Sequence, residues 1–182
     1  MKTETSTIPA DMEMSIESLA DIFKSALSVM SRDPVVVEVK GSAQRILYVK
    51  MSPHDYPRVI GSKGSSLKEW RKLAGWMGEC IGERVTVEVL TVPRDTNRHS
   101  QFTPDMNWRY SNIQSVIENI IGWIYGEAIY AVDESMESFL VDIQVSSLPH
   151  RISLTEATET LTLLLRSMCN PNGRKINLTI YQ

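Results

Sequence analysis

The residues with the clearest chemical potential are Gly61-Ser62-Lys63-Gly64-Ser65, two glycines three apart around a lysine. Neither glycine carries a Cβ, so the backbone can turn sharply there and another chain can approach it closely. The apolar pair Val59-Ile60 precedes the turn, and Ser66 with Glu69 has the spacing of a capping box, which predicts a helix start. The N–H groups at such a start, with the partial positive charge of a helix N-terminus, suit a phosphate. Arg58 before the turn, Lys63 within it, and Lys68 and Arg71 after it add formal positive charge at the same place. Gly-x-x-Gly alone is a weak motif, and the longer Gly-x-x-x-x-Gly-Lys-Ser/Thr phosphate loop is absent, so the surrounding elements must decide its meaning.

Charge is distributed in a way that supports the motif. The 182 residues carry a net −3, which by itself points away from nucleic acid. Residues 40–98, however, hold eleven basic against six acidic side chains, while the flanking stretches 1–39 and 99–182 are each net −4. A basic segment on an otherwise acidic chain is either a solvated face or a local electrostatic footprint. Apolar content of 42% suffices for a core in one domain or two small ones. Cys80 and Cys169 lie far apart without Cys-x-x-Cys or nearby His spacing, which suits a reducing compartment and neither a zinc site nor a disulfide framework. No apolar run reaches the length of a membrane span and residues 1–11 are polar, so a soluble cytoplasmic protein without a membrane partner is expected.

The elements that must position the motif follow from periodicity. Residues 1–14 read as a flexible tail. Ile16, Leu19, Ala20, Phe23, Leu27 and Met30 recur at helical spacing up to Asp33-Pro34. Residues 35–39 and 45–51 are β-rich runs, read as a hairpin around Gly41. A short helix then leads to Ile60, the glycine turn follows, and a helix over 66–78 carries Leu67, Trp70, Ala74 and Met77 on one face and Lys68, Arg71 and Lys72 on the other. Residues 84–92 alternate as a third strand.

That order, with the motif between the two later helices, resembles the K-homology (KH) domain in its type II arrangement, as in small bacterial single-KH RNA-binding proteins. The likeness rests on Val59-Ile60-Gly61-Ser62-Lys63-Gly64-Ser65-Ser66-Leu67-Lys68 and on the approach Ser52-Pro53-His54-Asp55-Tyr56-Pro57-Arg58, and it covers about residues 15–92. It implies an α+β fold, α-β-β-α-α-β, with a three-stranded sheet and helices on one face. It also implies binding of single-stranded RNA, or single-stranded DNA, with the glycine loop clamping about four nucleotides. Transferred to this sequence, Gly61 and Gly64 would admit the sugar–phosphate backbone, with Ser62, Lys63 and Ser65 within reach of phosphate oxygens. Val59 and Ile60, with Leu67, would line an apolar floor for bases, and the edge of strand 45–51 would offer polar groups to base edges. Arg58, Lys68 and Arg71 would be phosphate contacts. Ile60 and Leu67 equally suit a core, and Arg71 and Lys72 a solvated face.

Residues 93–110 read as a linker, polar and Pro-bounded, whose Trp108, Arg109 and Tyr110 either anchor it or offer stacking surfaces. Residues 111–182 repeat the first half in worn form: a helix through Ile113–Ile124, strands over 128–132 and 139–145, a Ser153-Leu154-Thr155-Glu156 helix start, and a strand over 175–180. The short helix and both glycines are missing between Pro149 and Ser153. This half is therefore expected to be a KH-like domain without the glycine loop, available for packing, homo-oligomerisation or a protein partner. Large bacteriophages encode similar tandem KH-like proteins, a likeness of architecture that would place this one in a host cytoplasm.

His54, His99 and His150 are scattered, and Asp133, Glu134 and Glu137 read as a solvated hairpin tip. No catalytic constellation, metal site or cofactor is expected. The expectation is a non-catalytic single-stranded RNA-binding protein, acting as a chaperone or coat on messenger or small RNA. The alternative is an assembly scaffold of KH-like folds in which nucleic-acid contact is incidental.

Overall fold

The computed structural model describes residues 2–6, 14–93, 106–134, 138–146, 152–169 and 175–182. In chain order the elements are β1 (Lys2–Ser6), α1 (Ile16–Met30), β2 (Val36–Lys40), β3 (Arg45–Met51), α2 (Tyr56–Ile60), a single 3-10 turn (Ser62–Gly64), α3 (Ser65–Cys80), β4 (Val85–Thr91), α4 (Met106–Tyr125), β5 (Ala128–Glu134), β6 (Ser138–Val145), α5 (Leu154–Cys169) and β7 (Lys175–Tyr181). The fold is α+β.

Local chemistry accounts for the boundaries that matter. Ser15 caps α1, its Oγ accepting from the Ser18 amide at 3.2 Å, and the Ser31 hydroxyl donates to the Leu27 carbonyl where the helix stops ahead of Asp33-Pro34. Of the residues of α1 expected to face a core, Leu19, Ala20, Phe23, Leu27 and Met30 are buried and Ile16 is half-buried against them; Ile22, Ala26 and Val29 are buried as well. A single apolar stripe serves one neighbour. The broader face of α1 serves two, its own sheet and the helices of the second half.

Two sheets result, ordered β2-β3-β4 and β1-β5-β6-β7. β2 runs antiparallel to β3, and β3 parallel to β4; β5 runs antiparallel to β6, and β6 parallel to β7. The repeat read from the sequence is therefore present as topology: α1, β2, β3, α3 and β4 correspond to α4, β5, β6, α5 and β7. Helices of both halves lie between the sheets, α1 against α4 and α3 against α5. One contiguous apolar core runs through both halves, from Leu19 and Trp70 to Ile121 and Leu164. Phe23 meets Trp70 edge-on with ring centroids 5.7 Å apart, and the Trp123 indole N–H donates across the halves to the Met77 carbonyl at 2.9 Å.

Several expectations need correction. Residues 2–6, read as flexible tail, form β1, which pairs with β5 from Lys2↔Val132 to Ser6↔Ala128. A run of five residues that alternates Thr and charged side chains is short of apolar signal, and only its pairing partner makes it a strand. Residues 106–110, read as linker, are the first turns of α4; residues 94–105 of that linker lie outside the described residues. β3 is the central strand and has no free edge, because β2 and β4 flank it on both sides.

Candidate nucleic-acid interface

α2 ends because Gly61 adopts φ 74 and ψ 176, a conformation open in practice to glycine alone. Its amide still donates to the Pro57 carbonyl at 3.0 Å. Space is as restrictive as the dihedrals: a Cβ on Gly61 would stand 2.4 Å from the Ser66 Oγ and 2.9 Å from the Ser66 Cβ. Lys63 (φ 53, ψ 27) and Gly64 (φ 79, ψ 14) then lie consecutively in the left-handed region, and the chain enters α3. Lys63 is the non-glycine residue held at positive φ among the described residues. Such strain is maintained only where the surroundings enforce it, and it concentrates at functional loops.

Around this bend Ser62, Lys63, Ser65 and Lys68 are exposed, while Ile60, Gly61, Gly64 and Leu67 are half-buried. Lys63 and Lys68 stand without an ion pair among the described residues. α3 begins at Gly64 with no side-chain cap and no acidic residue in its first turn, so no protein carboxylate competes for an anion there.

The expected capping box is not formed. Ser66 is turned inward, 4% exposed, and its Oγ lies 3.0 Å from the Ser167 Oγ on α5. The Ser167 hydroxyl donates to the Leu163 carbonyl at 3.1 Å, which makes Ser66 the donor between the two serines. Glu69 is likewise spent on α5: the Thr160 hydroxyl donates to its Oε2 at 2.7 Å, and Lys72 bridges it at 3.1 Å and Glu156 at 3.5 Å. Burial alone would raise the Glu69 carboxyl, but the Thr160 hydroxyl and the Lys72 ammonium outweigh it and hold the group below its ordinary value. The counterpart helix behaves as the sequence suggested for α3: Ser153 precedes α5 and its Oγ accepts from the Glu156 amide at 3.1 Å. In the two copies of one helix start, one is closed by a serine side chain; the other has no side-chain cap, and the Gly64 and Ser65 amides turn back to the Gly61 and Ser62 carbonyls.

Other expected site residues are placed differently from their reading. Val59 is 1% exposed and belongs to the core, so the apolar floor reduces to Ile60 and Leu67. Arg71 is exposed, but its Nε donates to the Val87 carbonyl at 2.9 Å and ties α3 to β4. Arg58 is half-buried and engaged. Lys72, read as facing water, is held in the α3–α5 contact. The accessible sheet edge beside the turn is that of β4. The Val92 amide donates inward to the Met51 carbonyl, so by the alternation of a parallel ladder Val89 and Thr91 turn their polar groups outward, as does buried Val87, whose carbonyl Arg71 occupies. The α3–α5 network left no trace in the sequence beyond polar residues that resemble a solvated face.

The Cys80 thiol is pushed up by burial and by the neighbouring Glu79, the opposite of an activated nucleophile. Among the described residues no three His, Cys, Asp or Glu side chains converge on a metal position, and no helix is long and apolar enough to cross a membrane. The chain matches no protein-family model, and comparison with curated proteins finds no match.

Proposed function

We propose that this chain is a non-catalytic single-stranded RNA-binding protein of the type II KH kind, with the backbone of the nucleic acid lying on the turn 61–65. The observation that carries the reading is the start of α3, which no side chain caps. A strained double-glycine bend leads into a helix with no side-chain cap and no acidic residue in its first turn, beside Lys63 and Lys68, which stand without an ion pair among the described residues. Phosphate is the ligand that uses all three features at once: close main-chain approach, N–H donors and cationic side chains. Ile60 and Leu67 supply apolar surface next to it, and the outward edge of β4 supplies hydrogen-bonding groups for bases. Strand order and direction in β2-β3-β4 are compatible with this assignment. Residues 111–182 act as a KH-like scaffold whose helix face is spent on the first half, which leaves their sheet for any partner of an assembly scaffold.

The test is the double substitution Ser62→Asp and Lys63→Asp, both at exposed positions of the turn. With a labelled single-stranded oligoribonucleotide and fluorescence anisotropy, the parent protein is expected to bind with an affinity that falls as salt rises, by a log–log slope of about −0.7 per phosphate neutralised. The variant is expected to lose binding with its melting temperature unchanged. Equal binding by parent and variant would remove the turn as the site.

A further inference from the structure

A cleft of about 390 Å³ lies beside the start of α2, lined by Arg32, Asp33, His54, Asp55 and Arg58. It forms where the chain leaving α1 crosses the segment between β3 and α2. Asp55 fixes that crossing: 1% exposed, its Oδ2 accepts from the Arg32 amide at 3.0 Å, the Asp33 amide at 3.1 Å and the Ser52 hydroxyl at 3.1 Å. The walls are thus held by a buried carboxylate and not by loop packing alone. Arg32 and His54 are exposed above it, and no hydrogen bond or ion pair engages the Arg32 side chain among the described residues.

We propose that this cleft takes one nucleotide of the strand, adjoining those held by the glycine turn; the inference rests on the single-strand reading above. The lining decides the ligand class. Two arginines and two aspartates cancel in formal charge, so a bare phosphate ion finds no net field here. A nucleotide residue offers more than its charge: its phosphate meets the Arg32 guanidinium, and its base covers the rest of the lining. The exposed imidazole of His54 offers a face for stacking. The volume falls in the range of small-molecule sites and exceeds what a phosphate alone would fill. Arg58 stands three residues before Gly61 on α2, about 4.5 Å along the helix axis. A strand with a phosphate on the turn therefore reaches the cleft with a neighbouring residue.

The experiment compares a labelled tetraribonucleotide with an octaribonucleotide on the full chain, using the parent, Arg32→Ala, His54→Ala and the double aspartate variant of the turn. Neither alanine change touches the bonds to Asp55, since Arg32 contributes only its backbone amide there. Arg32→Ala is expected to weaken the octamer roughly tenfold, the scale of one charge-assisted hydrogen bond, and to leave the tetramer unchanged. His54→Ala should weaken the octamer by a smaller factor. The turn variant should lose both. If Arg32→Ala and His54→Ala leave the octamer unchanged, or weaken tetramer and octamer alike, the cleft proposal is overturned while the turn stands. If the parent binds neither oligonucleotide, both readings fall.

Discussion

The two glycines of the turn look equivalent in sequence, yet the structure gives them different reasons for being glycine, and replacing each by alanine separates those reasons. Gly64 lies at φ 79 and ψ 14 with nothing within 4 Å of where a Cβ would be. Gly64→Ala therefore meets left-handed strain alone, about 1–2 kcal/mol. Gly61 lies at φ 74 and ψ 176, where strain costs about 2 kcal/mol. Its Cβ would also meet the Ser66 side chain at 2.4 Å and the Ser66 amide nitrogen at 2.9 Å. Ser66 cannot withdraw, because it is wedged against Ser167 in the α3–α5 contact. Overpacking of this kind adds about 2 kcal/mol, so Gly61→Ala should cost about 4 kcal/mol. For a chain of this length that corresponds to a fall in melting temperature of about 8–16 °C, against about 2–8 °C for Gly64→Ala. Thermal denaturation followed by circular dichroism reads the difference. Equal shifts would refute the claim that α5 braces the turn through Ser66.

The α3–α5 network makes stability depend on pH in a defined direction. The Glu69 carboxyl is held below its ordinary value in the folded chain, so its contribution is present above the unfolded value of about 4.3 and is lost as pH falls through the folded one. Glu69→Gln should destabilise by roughly 1 kcal/mol at neutral pH, and urea titrations should show the gap to the parent closing below about pH 4. Burial pushes the Tyr125 phenol up to about 12. Its folded value being raised, stability is fully present below about 10 and is lost as pH rises toward 12. Ultraviolet titration should show one tyrosine ionising last, and Tyr125→Phe should remove that step.

Much of the fold was legible because its signals are local. Apolar periodicity marked α1, α3 and α4, a β-branched run marked β2, alternation marked β4, a repeated helix start marked α5, and the shared element order revealed the repeat. The signals that misled depend on distant partners. β1 exists through pairing with β5, more than a hundred residues away, and nothing in Lys2–Ser6 encodes that partner. Ser66 and Glu69 satisfy a capping pattern by spacing, yet α5 offers both of them better bonds, so tertiary contact overrides the local motif. Val59 and Ile60 are adjacent and equally apolar; helix phase sends the first inward and leaves the second at the surface. The bend itself was legible, since positive φ at both ends favours glycine, though the added contact of Gly61 with Ser66 was not. The cleft at Arg32 was not, because its two walls come from segments about twenty residues apart.

The most direct measurement of the central claim is a backbone amide titration of the isotope-labelled chain with a short single-stranded oligoribonucleotide, read by nuclear magnetic resonance. The largest shifts are expected at residues 61–67, smaller ones along the outward edge of β4, and none in α4 or α5. Shifts centred on residues 111–182 with the turn unmoved, or no shifts at all, would contradict it.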